Sequence, residues 1–182
     1  MNIIRTADYQ EMSIEAGKIL VEKIRSNPQL TLGLATGSTP GGVYEYLIHD
    51  HHENHTSYKQ AKTVNLDEYI GLSRDDANSY HYFMRKNLFD EIDLPLEQTN
   101  IPNGTAPDLQ AECARYEKLI EELGGVDVQI LGIGQNGHIG FNEPGTSFNS
   151  QTHVVALAES TRDANSRFFS SILSLARSAR SL

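Results

Sequence analysis

Apolar positions along the chain alternate between two periods. Ile14, Ala16, Ile19, Leu20 and Ile24 recur near helical spacing, and Asn27-Pro28 ends that run. The apolar run LTLGLA, residues 30–35, then reads as a buried strand, and a helix is predicted from about Gly42 to the polar run IHDHHENH. TVNL, residues 63–66, is the next strand. Further helices are predicted around Ser79 to Ile92 and over Leu109 to Leu123, the second stopped by Gly124-Gly125. Pro95, Pro102, Asn103-Gly104 and Pro107 mark an irregular connection between them. VDVQILGIG reads as a buried strand, THVVALA, residues 152–158, as another, and a helix should start within Ser160 to Phe169. A short strand is predicted over Asn2 to Arg5. The last residues, SSILSLARSARSL, carry no strand signal and read as a basic amphipathic tail or a non-native end. Strand-like and helical runs in alternation predict an α/β domain with a mostly parallel sheet.

Composition narrows this picture. A length of 182 residues fits one domain, taken here as residues 1–170 with an atypical tail at 171–182. With 15 basic and 24 acidic residues the net charge is -9, which repels nucleic acid and anionic lipid, so neither is expected as a partner. Cys113 is the only cysteine, so no internal disulfide can form and a reducing cytoplasm is expected. No targeting or membrane-spanning segment is read from the chain.

In open parallel α/β sheets, ligands sit at the carboxyl ends of the strands, so loops that follow strands are the places to seek chemistry. The first such loop is TGSTPGG, residues 36–42. Small residues and hydroxyls at a helix start favour an anion, with Thr36, Gly37, Ser38 and Thr39 as candidate ligands. It lacks the Gly-Lys-Ser/Thr ending of a nucleotide-triphosphate loop, so a sugar phosphate is the more plausible occupant. A tight turn with an ordinary cap is the alternative. The second loop opens with Asp67-Glu68-Tyr69, and a carboxylate emerging at a strand end can serve as a general base. A turn or capping aspartate is the alternative there.

The third loop, GIGQNGHIGFNEPG, residues 132–145, begins as a dinucleotide fingerprint. Gly140, Pro144 and Gly145 interrupt the helix such a fingerprint needs, although Glu159 lies where a ribose-binding acid would. What the loop offers instead is His138 with Glu143 and Asn136 nearby, an imidazole with orienting partners suited to proton transfer. The remaining histidines read differently. His49, His51, His52 and His55 lie among Asp50, Glu53 and Asn54 as on a solvated face, and no metal is expected there; His81 and His153 read as packing or structural residues.

Together LATGSTPGG, NLDEYIGL, SYHYFMRKNLF, GIGQNGHIGFNEPG and STRDANSRFF resemble the motifs of the glucosamine-6-phosphate deaminase family over about residues 1–169. The resemblance implies a Rossmann-like three-layer α/β/α sandwich and a cofactor-free, metal-free enzyme. The reaction it implies, of hydrolase or isomerase type, turns glucosamine 6-phosphate into fructose 6-phosphate and ammonium in amino-sugar catabolism. Asp67 then resembles the base moving a proton between C2 and C1, and His138 the group that opens the sugar ring, assisted by Glu143 and Asn136. Thr36 to Thr39 and Arg167 match the phosphate site. Asn136 departs from the family pattern, since many members carry Asp there and an amide can orient an imidazole without a charge. From about Ser171 the resemblance stops, and several dozen residues of the family pattern, including later strands and a phosphate-binding lysine, are expected to be missing, so weak or no activity is expected of the chain as given. A sugar-phosphate lactonase of the same superfamily is the nearest rival. Such lactonases continue to Ala-Ser-Leu-Phe-Pro after the histidine, where this chain has Ile139 to Pro144. A nicotinamide dehydrogenase and a non-catalytic sugar-phosphate sensor are the others. The partner expected in every reading but the dehydrogenase is a small sugar phosphate, bound by a monomer or a homo-oligomer.

Overall fold

The computed structural model describes residues 1–134, 137–142, 145–147 and 149–156, together with the backbone of 173–176. Helix α1 spans Tyr9–Ser26. Asp8 caps it by accepting the Glu11 N–H, while the Glu11 carboxylate reaches back to the Ala7 N–H at 2.6 Å, so two orphan donors are satisfied. Strand β1 is Thr31–Leu34, buried at all four positions. Helix α2 (Gly41–Asn54) ends on His55 in the left-handed region at φ 58°. Strand β2 (Lys62–Asn65) leads almost directly into β3 (Asp67–Tyr69). Helix α3 (Tyr80–Asn87) is capped by Ser79, whose hydroxyl accepts the Tyr82 N–H. There follow β4 (Thr99–Asn100), α4 (Leu109–Glu122, capped by Asp108), β5 (Val128–Gln129), β6 (His153–Ala156) and β7 (Leu173–Ala176).

Two sheets result. The first is parallel, in the order β4-β2-β1-β5, with Thr31 to Leu34 in register with Lys62 to Asn65 and Gly33 opposite Gln129. The chain leaves β1 in one direction through β2 and β4, then returns to its other side with β5. This reversal opens a crevice at the carboxyl ends of β1 and β5. The second sheet is antiparallel in the order β3-β7-β6, with Asp67 opposite Ala176.

Alternation along β1 explains the layers. Leu32 and Leu34 face a core shared with Leu20 and Ile24 of α1, Val43, Tyr44 and Leu47 of α2, and Met84 of α3. Glycines let α1 and α2 approach: a Cβ at Gly17 would lie 2.4 Å from the Tyr46 ring, and one at Gly42 only 2.5 Å from Ser13 Oγ. On the opposite face Val64 packs against Tyr116 and Ile120 of α4. The Tyr116 hydroxyl lies 2.8 Å from the Asn65 carbonyl and accepts its N–H at 3.1 Å, fixing the end of β2 just before Asp67.

Four expectations change. Asn2 to Arg5 forms no strand; Ile3 and Ile4 are 72% and 56% exposed, and no described strand pairs with them. The expected long strand VDVQILGIG is a strand only at Val128–Gln129, half-buried at the edge of the parallel sheet. Asp67-Glu68-Tyr69 is not a loop but a strand of its own, and Leu173–Ala176 supplies the strand beside it. LSLA alternates apolar and small residues with period two, a strand pattern concealed by the Ser and Arg repeats around it. The helix predicted from Ser160 lies outside the described residues.

Gly104 holds β3 in place. Its carbonyl accepts the Gly71 N–H at 2.8 Å, and a Cβ on Gly104 would fall 1.9 Å from the Tyr69 carbonyl oxygen. Because the obstacle is backbone, no side-chain rotation relieves it. Gly104→Ala is expected to cost about 1–3 kcal/mol in urea unfolding; an unchanged midpoint would show that the strand yields freely.

Candidate active site

Each element delivers one part of the crevice. Beyond β1, the Tyr44 hydroxyl donates to the Ala35 carbonyl at 2.6 Å and accepts its N–H at 3.2 Å, pinning the strand end. The chain then turns through Gly37, at φ 95°, into α2. That helix has Pro40 at its N-cap, no capping side chain of its own and no acidic residue in its first turn, so its dipole and early N–H groups remain suited to an anion.

Asp67, at the start of β3, is 5% exposed. Burial pushes its carboxyl up to about 8, the adjacent Glu68 charge adds to the rise, and a hydrogen bond from the Phe141 N–H opposes it. A Cβ on Gly140 would sit 3.1 Å from Asp67 Oδ2, so the segment from Gly137 passes directly over the carboxyl. There Ile139 and Asn142 exchange backbone hydrogen bonds at 3.3 and 3.0 Å. A tight bridge therefore follows Gly137 where a dinucleotide fold would begin a helix, and the fingerprint has no helix N-terminus to offer a pyrophosphate. His138 lies against Gly134: a Cβ there would be 2.2 to 2.5 Å from the ring atoms. Gly134→Ala is accordingly expected to swing the imidazole away, seen as shifted His138 ring-proton resonances, with little change in melting temperature, because a side chain and not backbone must move. Unshifted ring resonances would sink this.

Asp67, His138, Thr36, Gly37 and Thr39 line one cavity of about 320 Å³, within the range of small-molecule clefts. Ser38 does not line it; it is exposed, and its carbonyl accepts the Tyr9 hydroxyl. Asn136, Glu143 and Arg167 lie outside the described residues, as does Glu159.

Two residues of this site were not predicted. Tyr80, the first residue of α3, lines the cavity with its ring stacked on Phe141 at 5.8 Å and 14°, and its hydroxyl 3.3 Å from that of Tyr69. Burial, and then the Asp67 charge, raise its pKa well above the usual phenol value, so the hydroxyl stays protonated. Glu68, 1% exposed, accepts the N–H groups of Tyr69, Tyr80 and His81 at 2.8, 3.0 and 3.1 Å. The His81 ring completes the set at 2.9 Å, which gives this packing residue a defined partner. Ser79 announces a helix start in the sequence, but nothing there says which carboxylate will meet its free N–H groups. Elsewhere His51 Nδ1 lies 2.7 Å from the Thr56 carbonyl and His153 Nδ1 2.8 Å from that of Gln151. Among the described residues no helix is long and apolar enough to cross a membrane.

Residues 7–182 match the family of glucosamine-6-phosphate isomerases and 6-phosphogluconolactonases. The glucosamine-6-phosphate deaminase of Geobacillus sp. (strain WCH70) is 59% identical over 179 residues, 98% of this chain and 71% of that protein. Glucosamine-6-phosphate deaminase 1 of Bacillus subtilis (strain 168) is 52% identical, again over 98% of this chain, and over 74% of its own length. The structure of a monomeric glucosamine-6-phosphate deaminase superimposes with a TM-score of 0.96 at 49% identity, covering 100% of this chain and 77% of the other. The 6-phosphogluconolactonase of Trypanosoma brucei shares the fold at a TM-score of 0.76 and 22% identity, over 99% of this chain and 77% of its own. The crevice at the sheet reversal and these likenesses lead to one assignment: the chain belongs to the glucosamine-6-phosphate isomerase and 6-phosphogluconolactonase family.

Proposed function

We propose that this protein is a glucosamine-6-phosphate deaminase, converting glucosamine 6-phosphate and water to fructose 6-phosphate and ammonium in the cytoplasmic breakdown of amino sugars. The observation that carries the reading is a buried, easily protonated carboxylate sharing one small cavity with an imidazole and a helix start that has no acidic residue in its first turn. The high identity to deaminases supports it over the lactonases, whose likeness is one of fold.

The chemistry follows from the substrate. A cyclic amino sugar must first open to an aldehyde, because only then is the C2 hydrogen acidic enough for a carboxylate to remove. His138 moves the ring-opening proton between the C1 hydroxyl and the ring oxygen. Asp67 takes the C2 proton and returns it to C1, leaving an imine at C2. Water adds to that carbon and ammonia departs, so the sequence is an isomerisation followed by deamination. Each proton transfer contributes about 10²- to 10⁴-fold when well placed. The phosphate, held by the turn from Thr36 to Thr39 with Arg167, anchors the far end and orients C1 and C2 against Asp67. Asn136 and Glu143 orient the imidazole. In this mechanism proton transfer by side chains is sufficient.

Ammonia release from glucosamine 6-phosphate tests the proposal, with hydrolysis of 6-phosphogluconolactone measured beside it. Ammonia production supports the deaminase. Lactone hydrolysis without ammonia would favour the lactonase, and saturable binding without either product would leave a sugar-phosphate sensor.

A further inference from the structure

The turn from Thr36 to Thr39 is held from outside by one side chain. Tyr9, first residue of α1, donates its hydroxyl to the Ser38 carbonyl at 2.8 Å and accepts the Gly42 N–H at the same distance. One oxygen thus joins the apex of the turn to the first turn of α2. The placement of Tyr9 is itself fixed. It follows the Asp8 cap, its carbonyl accepts the Ser13 hydroxyl at 2.8 Å, and Ser13 in turn occupies the space above Gly42.

This arrangement divides the early N–H groups of α2 between two uses. The Gly42 N–H is taken by Tyr9, and Pro40 has none, so an anion meets the N–H groups of the turn itself and of Gly41. Gly37 is exposed at φ 95°, and with no Cβ it leaves the turn many alternative conformations. Without the Tyr9 bridge, ordering it would fall to the ligand, and that entropy would be lost from binding.

We propose that Tyr9 is a positioning residue for the phosphate end of the substrate, preorganising the turn from Thr36 to Thr39 through its hydrogen bonds to Ser38 and Gly42. The proposal rests on the reading that this turn takes the phosphate, and it assigns to a residue of α1, outside the cavity, the preference for a phosphorylated over a free amino sugar.

The test is Tyr9→Phe, which keeps the ring and removes the bridging oxygen. Inorganic phosphate is titrated against the ¹⁵N-labelled parent and variant while the Gly37, Ser38 and Thr39 amide resonances are followed. Ammonia release is measured alongside. The phosphate dissociation constant and the KM for glucosamine 6-phosphate are each expected to rise about 5- to 10-fold, in line with two lost hydrogen bonds. The expected kcat stays within about 2-fold of the parent, and inhibition by unphosphorylated glucosamine is unaltered. Equal phosphate affinity in parent and variant, with the amides shifting in both, would overturn the role of Tyr9 while leaving the turn as the phosphate site. No shift of those amides in the parent would overturn the phosphate reading and the proposal with it.

Discussion

Asp67→Asn is expected to lower the kcat for ammonia release by about 10²- to 10⁴-fold while leaving substrate affinity nearly intact. The amide keeps the shape of the carboxyl and can still accept the Phe141 N–H, yet it cannot take a proton from C2. The same replacement should stabilise the protein in alkali. An unfolded aspartate ionises near pH 3.9, whereas burial lifts this carboxyl to about 8. Between those values the folded chain binds a proton that the unfolded chain has released, so stability falls as pH rises from about 4 to 8 and stays low above. Asparagine does not titrate. The variant should therefore match its parent near pH 4 and exceed it at pH 9, by on the order of a few kcal/mol. Urea unfolding at both pH values measures the gap, and a pH-independent difference would contradict the argument. In the parent, kcat/KM should rise with pH through about 8, as the base becomes ionised.

His138→Gln is the second large effect. Glutamine can hydrogen-bond a sugar hydroxyl but cannot shuttle a proton at neutral pH, so kcat should fall about 10²-fold or more. Stability should hardly change, because the imidazole is only half-buried and rests on Gly134 instead of supporting a core. An open-chain analogue, 2-amino-2-deoxyglucitol 6-phosphate, has no ring to open and should bind parent and variant equally. Ammonia release within a few-fold of the parent would remove His138 from the mechanism.

Much of the scaffold was written in the pattern. Helices α1, α2 and α4 and strands β1 and β2 fall where periodicity and breakers place them, because each buries one face or, for the strands, both. Segments after β1, β2 and β5 converge where the chain reverses across β1, so Thr36, Asp67 and His138 were readable as neighbours of one crevice. What escaped were contacts that depend on distant partners. Asp67-Glu68-Tyr69 looks like a loop because its partner strand lies more than a hundred residues downstream. Glu68 looks like any acidic residue until α3 sets two backbone N–H groups and an imidazole against it. Tyr80 is tied to β3 by its N–H to Glu68 and its hydroxyl to Tyr69, contacts that no local pattern announces. Asn2 to Arg5 shows the converse, an apolar pattern that no described neighbour completes.

The position of β5 beside β1 also bears on how the protein is made. Thr31 donates its N–H to the Asp127 carboxylate at 2.7 Å, a bond closed across 96 residues. During translation β1, α2, β2 and α4 have all emerged before that contact is possible, so a nascent chain carries β1 with one side bare. Such an edge is a template for pairing with other chains, and long loop closures slow its covering. The cavity, whose walls follow β1 and β5, is consequently assembled late on the ribosome, after the layers around it have begun to pack.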